Sequence, residues 1–188
     1  MKISLKTSFY LAIVLLIFGL WGCDRLFSSS GYQVSRVSDG DTIAVLDNNN
    51  NKLNVRFACI DAPEIAHSKK EKKSRKSVDK NQYKWGDRAK KRVSELVKQS
   101  SDRVELNITD TDRYGRKVAE VRLKDGTFVQ EALAREGLVV VYRNYLSKCP
   151  SKELVQEAEA FAKKRRRGVW SDKKFLKPWD YRKVSRSK

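Results

Sequence analysis

One short stretch of the chain places two carboxylates and an arginine at a spacing that could do chemistry. Residues 53–60 alternate between apolar and polar side chains, which is typical of a half-buried strand with Arg56 on its polar face. Pro63 ends such a strand because it has no backbone N–H to donate. Asp61 and Glu64 are therefore predicted to lie together on a rigid turn, within reach of a guanidinium suited to a phosphate or a carboxylate. The alternative is an ordinary proline turn in which Arg56 pairs with one of the two acids.

Two other segments carry groups of the same chemical types. Asp41 follows an Asp-Gly turn and opens a second predicted strand. Arg116 is the last residue of a turn-forming run, residues 110–116, which delivers its side chain to the start of another strand. If these strands pair with the first one, three carboxylates and two arginines meet at a single site.

The charge of the chain narrows the class of partner. The 188 residues include 41 Lys and Arg against 23 Asp and Glu, which gives a net charge of +18. Such a surface attracts polyanions, nucleic acid first and anionic membrane second. Lys and Arg are concentrated in residues 69–80, which we call the basic segment. It has no apolar period, so we predict an exposed, mobile loop that captures substrate, although such runs are often solvated loops without a partner.

The N-terminal residues have the features of an export signal. Lysines precede an apolar run, residues 9–21, which is shorter than the about 20 residues that a membrane span needs. The run ends in Leu-Trp-Gly-Cys, and this ending resembles the lipobox of bacterial lipoproteins, in which the cysteine is lipidated. We predict a signal peptide over 1–22, lipidation of Cys23 and a linker over 23–31. The protein would then be exported and held at the cell-envelope membrane; cleavage with secretion, or an uncleaved anchor, are the alternatives.

Alternation and turn signals predict five barrel strands and three helices between these ends, and the apolar run 138–142 predicts a further short strand. The strands are residues 32–37, 41–46, 53–60, 103–108 and about 118–123, and the helices are residues 83–99, 129–136 and about 151–167. Three strands, a helix and two further strands is the order of an OB-fold barrel, an α+β fold that closes its sheet edges. The domain is predicted to span 32–172, before a basic tail over 173–188 whose aromatic side chains pack back on it.

The two remaining cysteines leave a question open. Cys59 lies in the alternating strand and Cys149 in a predicted loop. They could pair in an oxidising compartment, but spacing alone does not show proximity, and the pattern favours a buried, free Cys59. Together with the single His67 they do not form a zinc-like cluster in the sequence.

Three segments in this order resemble the staphylococcal nuclease (thermonuclease) family. They are Asp39-Gly40-Asp41-Thr42, the stretch from Arg56 to Glu64, and Asp112-Arg113-Tyr114-Gly115-Arg116. The resemblance covers about residues 32–170, and the Pro-Trp-Asp-Tyr-Arg of the tail also looks like the endings of bacterial relatives. It implies a calcium-dependent nuclease that hydrolyses DNA and RNA, leaves 3′-phosphate ends and works as a monomer.

The resemblance also implies roles for individual residues. The implied Ca²⁺ ligands are Asp41, Asp61 and the backbone carbonyl of Ala62, where relatives often have Thr. The implied catalytic residues are Arg56 and Arg116, which grip the scissile phosphate, and Glu64, which activates the attacking water. Arg113 and Tyr114 match residues that contact a terminal phosphate, while Tyr145 or Tyr142 would stack a base or be ordinary half-buried tyrosines. Ca²⁺ binds oxygen ligands, and two guanidinium groups stabilise a phosphodiester under attack, so the residue types suit these roles.

Two other functions fit part of the sequence. A non-catalytic OB-fold module that binds nucleic acid at the envelope explains the basic surface, but not the combination of Asp41, Asp61 and Glu64. An envelope lipoprotein with a structural role explains the N-terminus, but leaves the arginines and carboxylates without a function. A cleavage assay with and without Ca²⁺ separates the three.

Overall fold

The seven strands of the described chain build one barrel and one small strand pair. The computed structural model describes residues 31–186, so the predicted signal peptide and Cys23 lie outside it. The strands are β1 (Tyr32–Val37), β2 (Thr42–Leu46), β3 (Lys52–Phe57), β4 (Ile60–Asp61), β5 (Arg103–Thr111), β6 (Lys117–Leu123) and β7 (Val140–Val141). Five of them close into a barrel in the order β1-β2-β3-β6-β5, and β4 pairs with β7. The predicted OB-fold barrel is confirmed.

The barrel closes through one parallel and four antiparallel ladders. β3 and β6 run parallel, with Val55 opposite Lys117, and β1 meets β5 antiparallel. Apolar side chains of all five strands point inward and are fully or almost fully buried. They include Ile43, Val45, Val55, Phe57, Val104 and Val121. Because every strand of the barrel has two partners, none is left with an unpaired edge.

Five α-helices accompany the strands within residues 31–186. They are α1 (Lys69–Lys72), α2 (Ser77–Gln99), α3 (Val129–Arg135), α4 (Lys152–Lys164) and α5 (Pro178–Arg186). The three predicted helices correspond to α2, α3 and α4, while α1 and α5 were not predicted. Phe175 and Trp179 of the tail, together with Trp170, pack against a buried cluster of Trp85, Val140 and Val169, as expected. In this part of the chain, no helix combines the length and the apolar character needed to cross a membrane.

The basic segment is exposed, as predicted, but it is not a loop throughout. It contains α1 and the first residues of α2. A capping box starts α1, because Ser68 Oγ accepts the N–H of Glu71 over 3.1 Å and Glu71 Oε2 accepts the N–H of Ser68 over 2.9 Å. The prediction of a loop was therefore wrong for these residues. The signal Ser-x-x-Glu was present in the sequence, but the density of lysines around it obscured it.

A disulfide joins the turn between β3 and β4 to the segment before α4, so the prediction of a free Cys59 was wrong. Cys59 and Cys149 are bonded, with their Cα atoms 5.4 Å apart. The pairing of β4 with β7 explains the proximity, because the N–H of Tyr142, just after β7, donates to the carbonyl of Cys59 over 2.9 Å. The two cysteines are 90 residues apart in sequence, and their proximity depends on a strand pair that local patterns do not reveal.

Candidate active site

The register of two barrel strands brings Asp41 and Arg56 together. Thr42 of β2 lies opposite Arg56 of β3, and the N–H of Phe57 donates to the carbonyl of Asp41 over 2.8 Å. The two side chains therefore leave the barrel at the same end. Arg56 Nη1 lies 2.6 Å from Asp41 Oδ1.

A break in the strand after β3 adds Asp61 to this pair. Cys59 has a φ of 74°, which turns the chain between β3 and β4. Asp61, at the end of β4, accepts a hydrogen bond from Arg56 Nη2 over 2.6 Å. The N–H of Ala62 donates to Asp41 Oδ2, also over 2.6 Å. One guanidinium thus bridges two carboxylates, and both carboxylates are buried.

The buried position of these groups changes their pKa values. Burial raises the pKa of Asp41 to about 6, and the guanidinium of Arg56 only partly opposes this. Burial and the charge of Asp41 likewise raise the pKa of Asp61. Burial alone would lower the pKa of Arg56, but the two carboxylates outweigh it and raise that pKa. Neighbouring anions in a buried position are costly, so this site favours a cation between them.

Helix α2 fixes the two turns that carry the acidic residues. It packs so closely that a Cβ atom added to Gly86 would lie 2.2 Å from the carbonyl oxygen of Glu64. On the other turn, a Cβ atom added to Gly40 would lie 2.6 Å from Cβ of Ala89 and 2.8 Å from Cβ of Ala62. Real Cβ atoms do not come this close to other atoms, so either substitution would force the neighbouring chain to move. The small residues at these points therefore allow the helix to touch the backbone of the candidate site.

Gly86→Ala is expected to lower both the melting temperature and kcat. Alanine would by itself stabilise the helix interior by about 1 kcal/mol, so a loss of stability can only come from the clash with Glu64. The turn must move to make room, and a displacement of about 1 Å can cost roughly 10²-fold in rate. Thermal unfolding and steady-state kinetics measure the two effects. Asp87→Ala, at an exposed position of the same helix, is the control; a wild-type rate with unchanged or higher stability would show that the helix does not press on this turn.

Glu64 and Arg182 complete the cluster. Glu64 lies on the turn after β4, and its side chain is 29% exposed. Its Oε1 atom accepts a hydrogen bond from Arg182 Nη1 of α5 over 2.8 Å, while Arg182 Nη2 lies 2.6 Å from Asp61 Oδ2. A cleft of about 540 Å³ opens beside these two residues, lined also by Tyr83 and by Lys76 of the basic segment. Sequence reasoning missed Arg182; its only signal was the resemblance of the tail to the endings of relatives.

The second predicted catalytic arginine has a different partner. Arg116 directly precedes β6, and its Nε and Nη2 atoms both lie 2.7 Å from Asp112 Oδ2. The structure therefore brings together Asp41, Arg56, Asp61, Ala62 and Glu64. It places the guanidinium of Arg116 on Asp112, in the turn between β5 and β6. A phosphate would have to compete with this ion pair.

The predicted substrate-binding residues lie at the surface on two separate segments. Tyr114 is 68% exposed, and the guanidinium carbon of Arg113 lies 4.8 Å from the centre of its ring. Tyr145 is 57% exposed in a short 3₁₀ helix, Arg143–Lys148. Its ring centre is 5.4 Å from that of Tyr142, which lies 5.4 Å from the ring of Trp179 in α5. Exposed aromatic rings of this kind are suited to stacking on nucleobases.

The donor atoms of the cluster suit a hard divalent cation. Asp41 and Asp61 offer carboxylate oxygens, and the hydrogen bond from Ala62 to Asp41 keeps the backbone at residue 62 beside them. Ca²⁺ takes about six to eight oxygen ligands, so this set would leave positions for water and phosphate. Two guanidinium groups already lie on these oxygens, which shows that the carboxylates attract positive charge.

Comparison with known proteins gives one consistent result. The sequence model of a family described as "Staphylococcal nuclease homologue" matches residues 54–172. The chain is 31% identical to a micrococcal nuclease of Shigella flexneri, over 82% of each chain. It is 32% identical to an uncharacterised endonuclease of Escherichia coli O157:H7, over 92% of this chain and 96% of the relative. An uncharacterised endonuclease of Haemophilus influenzae is 30% identical, over 92% and 83%.

Proposed function

The chain belongs to the staphylococcal nuclease family, and we propose that it is a calcium-dependent nuclease that hydrolyses phosphodiester bonds of DNA and RNA and leaves 3′-phosphate ends. One observation carries the proposal. Asp41 and Asp61 are buried on either side of the Arg56 guanidinium. Glu64 lies on the turn that follows Asp61, beside a cleft. A module that only binds nucleic acid has no use for three carboxylates in this position, since they repel phosphate.

Asp41, Asp61 and the carbonyl of Ala62 would hold the metal ion. When bound, Ca²⁺ would neutralise charge on the phosphate that is attacked. Arg56 would release its carboxylate partners and donate to phosphate oxygens, which its fork can bind two at a time. Arg116, which directly precedes β6, would do the same after leaving Asp112. Glu64 would accept the proton of the attacking water at one of its carboxylate oxygens.

A nicking assay tests the proposal directly. The full-length protein, incubated with supercoiled plasmid or with RNA, should cleave both when Ca²⁺ is present and neither when a chelator is in excess. Mapping of the new ends should find 3′-phosphate. Binding without cleavage at any Ca²⁺ concentration would instead favour the non-catalytic module.

The basic segment would collect the substrate at the edge of the cleft. Its lysine and arginine side chains are exposed. His67 and Lys76 belong to the wall of the cleft beside Glu64, so long nucleic acid bound here would lie next to the acidic cluster. Ion pairs between these lysine and arginine side chains and phosphates would add affinity by releasing counterions, and such pairs need no fixed geometry. The segment would therefore affect capture and not the chemical step.

Replacing the four lysines of α1 and its C-cap by Gln is expected to raise KM on long DNA at low salt. These residues are Lys69, Lys70, Lys72 and Lys73. For each phosphate that the variant no longer neutralises, the slope of log K against log salt concentration should become shallower by roughly 0.7 to 0.9. The maximal rate should stay the same, as should cleavage of a dinucleotide-sized substrate too short to reach the segment. Steady-state kinetics at several salt concentrations measure these effects.

A matched variant controls for the reduction in net charge. It replaces four exposed lysines on other elements by Gln, and these are Lys91, Lys98, Lys124 and Lys152. A smaller change in KM and salt slope is expected for it. If the α1 variant cleaved the short substrate as slowly as it cleaves long DNA, the basic segment would belong to the catalytic site, and the capture role would be refuted.

We propose that the predicted signal peptide directs export of the protein. A lipid on Cys23 would then attach it to the envelope membrane. Cys23→Ser should abolish incorporation of labelled fatty acid and shift the protein from the membrane fraction toward release or an unprocessed precursor. Labelling and fractionation of wild type and variant measure this. Unchanged fractionation, with no lipid on the wild type, would favour simple cleavage or an uncleaved anchor.

A further inference from the structure

We propose that Arg182 of α5 is a positioning residue of the active site, which holds Glu64 and which leaves Asp61 when the metal ion binds. The inference rests on the proposed function, because it concerns the metal ligands and the general base of that reaction. It adds a residue from the C-terminal helix to a site otherwise built on the barrel and its turns.

The hydrogen bonds of Arg182 reach both acidic residues of the β4 turn. Nη2 lies 2.6 Å from Asp61 Oδ2, and Nη1 lies 3.3 Å from Asp61 Oδ1. Nη1 also donates to Glu64 Oε1 over 2.8 Å. The Arg182 side chain is 30% exposed and that of Asp61 1%, so water screens this ion pair much less than a surface pair. Hydrogen bonds between charged groups in this geometry are among the strongest in proteins.

Helix α5 is docked firmly enough to keep Arg182 at the site. Tyr181, the residue before it, is buried, and its hydroxyl lies 3.1 Å from Asp79 Oδ1 and 3.2 Å from the hydroxyl of Tyr83, both in α2. On the preceding turn of the helix, Trp179 packs on Tyr142. These interactions do not involve Arg182. Its side chain can therefore change partners while the backbone of α5 stays in place.

A buried glutamine links the tail to the same turn. With its amide in the orientation that satisfies both ends, Gln82 donates to the carbonyl of Leu176 over 3.2 Å and accepts the N–H of Glu64 over 3.3 Å. The segment leading into α5 is thus connected to the backbone of Glu64, as Arg182 is to its side chain. Glu64 is thus held by Arg182 at its side chain and by Gln82 of α2 at its backbone N–H.

The charges of the cluster explain why binding of a metal ion would separate Arg182 from Asp61. Asp41, Asp61 and Glu64 carry three negative charges, and Arg56 and Arg182 supply two positive ones. A divalent cation on Asp61 takes the oxygens that Arg182 uses, and the two cations repel each other at such distances. Arg182 must then give up Asp61. Its hydrogen bond with Glu64 uses only Oε1, so it can remain there and leave Oε2 to accept the proton of the attacking water.

Calcium binding to the full-length Arg182→Ala variant gives the first readout, and it does not depend on activity. Titration calorimetry should find Ca²⁺ affinity increased by roughly tenfold, which corresponds to about 1.4 kcal/mol, because the ion no longer displaces a guanidinium. Lys183→Ala removes the same charge from an exposed position of the same helix and should change the affinity little. Circular dichroism and thermal unfolding establish that each variant is folded; Arg182→Gln replaces the alanine variant if that one is not.

Turnover at saturating Ca²⁺ gives the second readout. Arg182→Ala should lower kcat by roughly tenfold or more with little change in KM, because Glu64 is no longer held in place. Guanidinium ion added to the assay at millimolar concentration should restore part of the rate of Arg182→Ala. It should not raise the rate of Gly86→Ala, because that variant still has Arg182. Arg182→Lys keeps the charge but lacks the two-pronged guanidinium, so its kcat should lie between those of wild type and Arg182→Ala.

Both readouts must move in the expected direction. Unchanged or weaker Ca²⁺ binding by Arg182→Ala would show that the arginine does not compete for Asp61, and unchanged kcat would show that it does not position Glu64; either result overturns the proposal. A wild-type protein that neither binds Ca²⁺ nor cleaves would refute the proposed function, and this inference with it. A wild type that does both, beside a variant unchanged in either measurement, would refute this inference alone.

Discussion

Glu64→Gln is expected to lower kcat by about 10²–10⁴-fold, the range that a positioned general base contributes. Glutamine has the same size, and its side-chain oxygen can still accept the hydrogen bond that Glu64 Oε1 receives from Arg182. It cannot take up a proton from water. The fold, Ca²⁺ binding and affinity for nucleic acid should therefore stay close to wild type while turnover falls. Kinetics on a labelled oligonucleotide, with a separate binding measurement, resolve the two effects.

An exposed glutamate supplies the control for this variant. Glu157→Gln makes the same chemical change on the solvent side of α4 and should leave kcat unaltered. If Glu64→Gln cleaved within tenfold of the wild-type rate, another group would have to be the base.

Asp41→Asn is expected to remove the stabilisation that Ca²⁺ gives to the protein and to lower cleavage by about 10²-fold or more, the scale of what a bound metal ion contributes. The stability of the metal-free protein should change much less. Burial raises the pKa of Asp41 to about 6, so its charged form is already disfavoured in the folded chain, and a neutral amide avoids that cost. The damage therefore falls on metal binding.

Melting curves in chelator and in Ca²⁺ measure this difference. A ligand at about 100 times its Kd stabilises a protein by about 2.7 kcal/mol, so wild type should melt clearly higher in Ca²⁺ and the variant should not. Asp87→Asn, at an exposed position of α2, should behave as wild type. Full activity of wild type in excess chelator, or an undiminished Ca²⁺ effect in Asp41→Asn, would refute the metal assignment.

Local patterns were sufficient to predict the parts of the site that lie close together in sequence. The alternation over residues 53–60 predicted one strand followed by a turn with Asp61 and Glu64. The structure divides this strand into β3 and β4 at Cys59, but Arg56, Asp61 and Glu64 still belong to one cluster. The barrel could be predicted for a similar reason, because residues 53–60 and 103–108 alternate and short turns join the first three strands. Asp41 joins the cluster through an antiparallel neighbour that is adjacent in the chain.

The rest of the site depends on interactions between distant segments. Arg182 reaches Asp61 across 121 residues, from helix α5, which the sequence analysis did not predict. Cys149 reaches Cys59 through the β4–β7 pair, and each of these strands has only two residues. The ion pair of Arg116 with Asp112 is local, but sequence spacing does not show which of several nearby carboxylates a guanidinium will bind.

The bond between Cys59 and Cys149 closes a covalent ring that contains the β4 turn and the whole basic segment. Proteases of the trypsin type cut after lysine and arginine, and the exposed side chains of the basic segment offer such bonds. A single cut inside the ring leaves both fragments joined. The nicked chain should run as one band on a gel without reductant and as two bands with it. Strands β1–β3, with Asp61 and Glu64, would stay covalently joined to β5, β6 and Arg182 after a cleavage that separates an unbridged chain into two pieces.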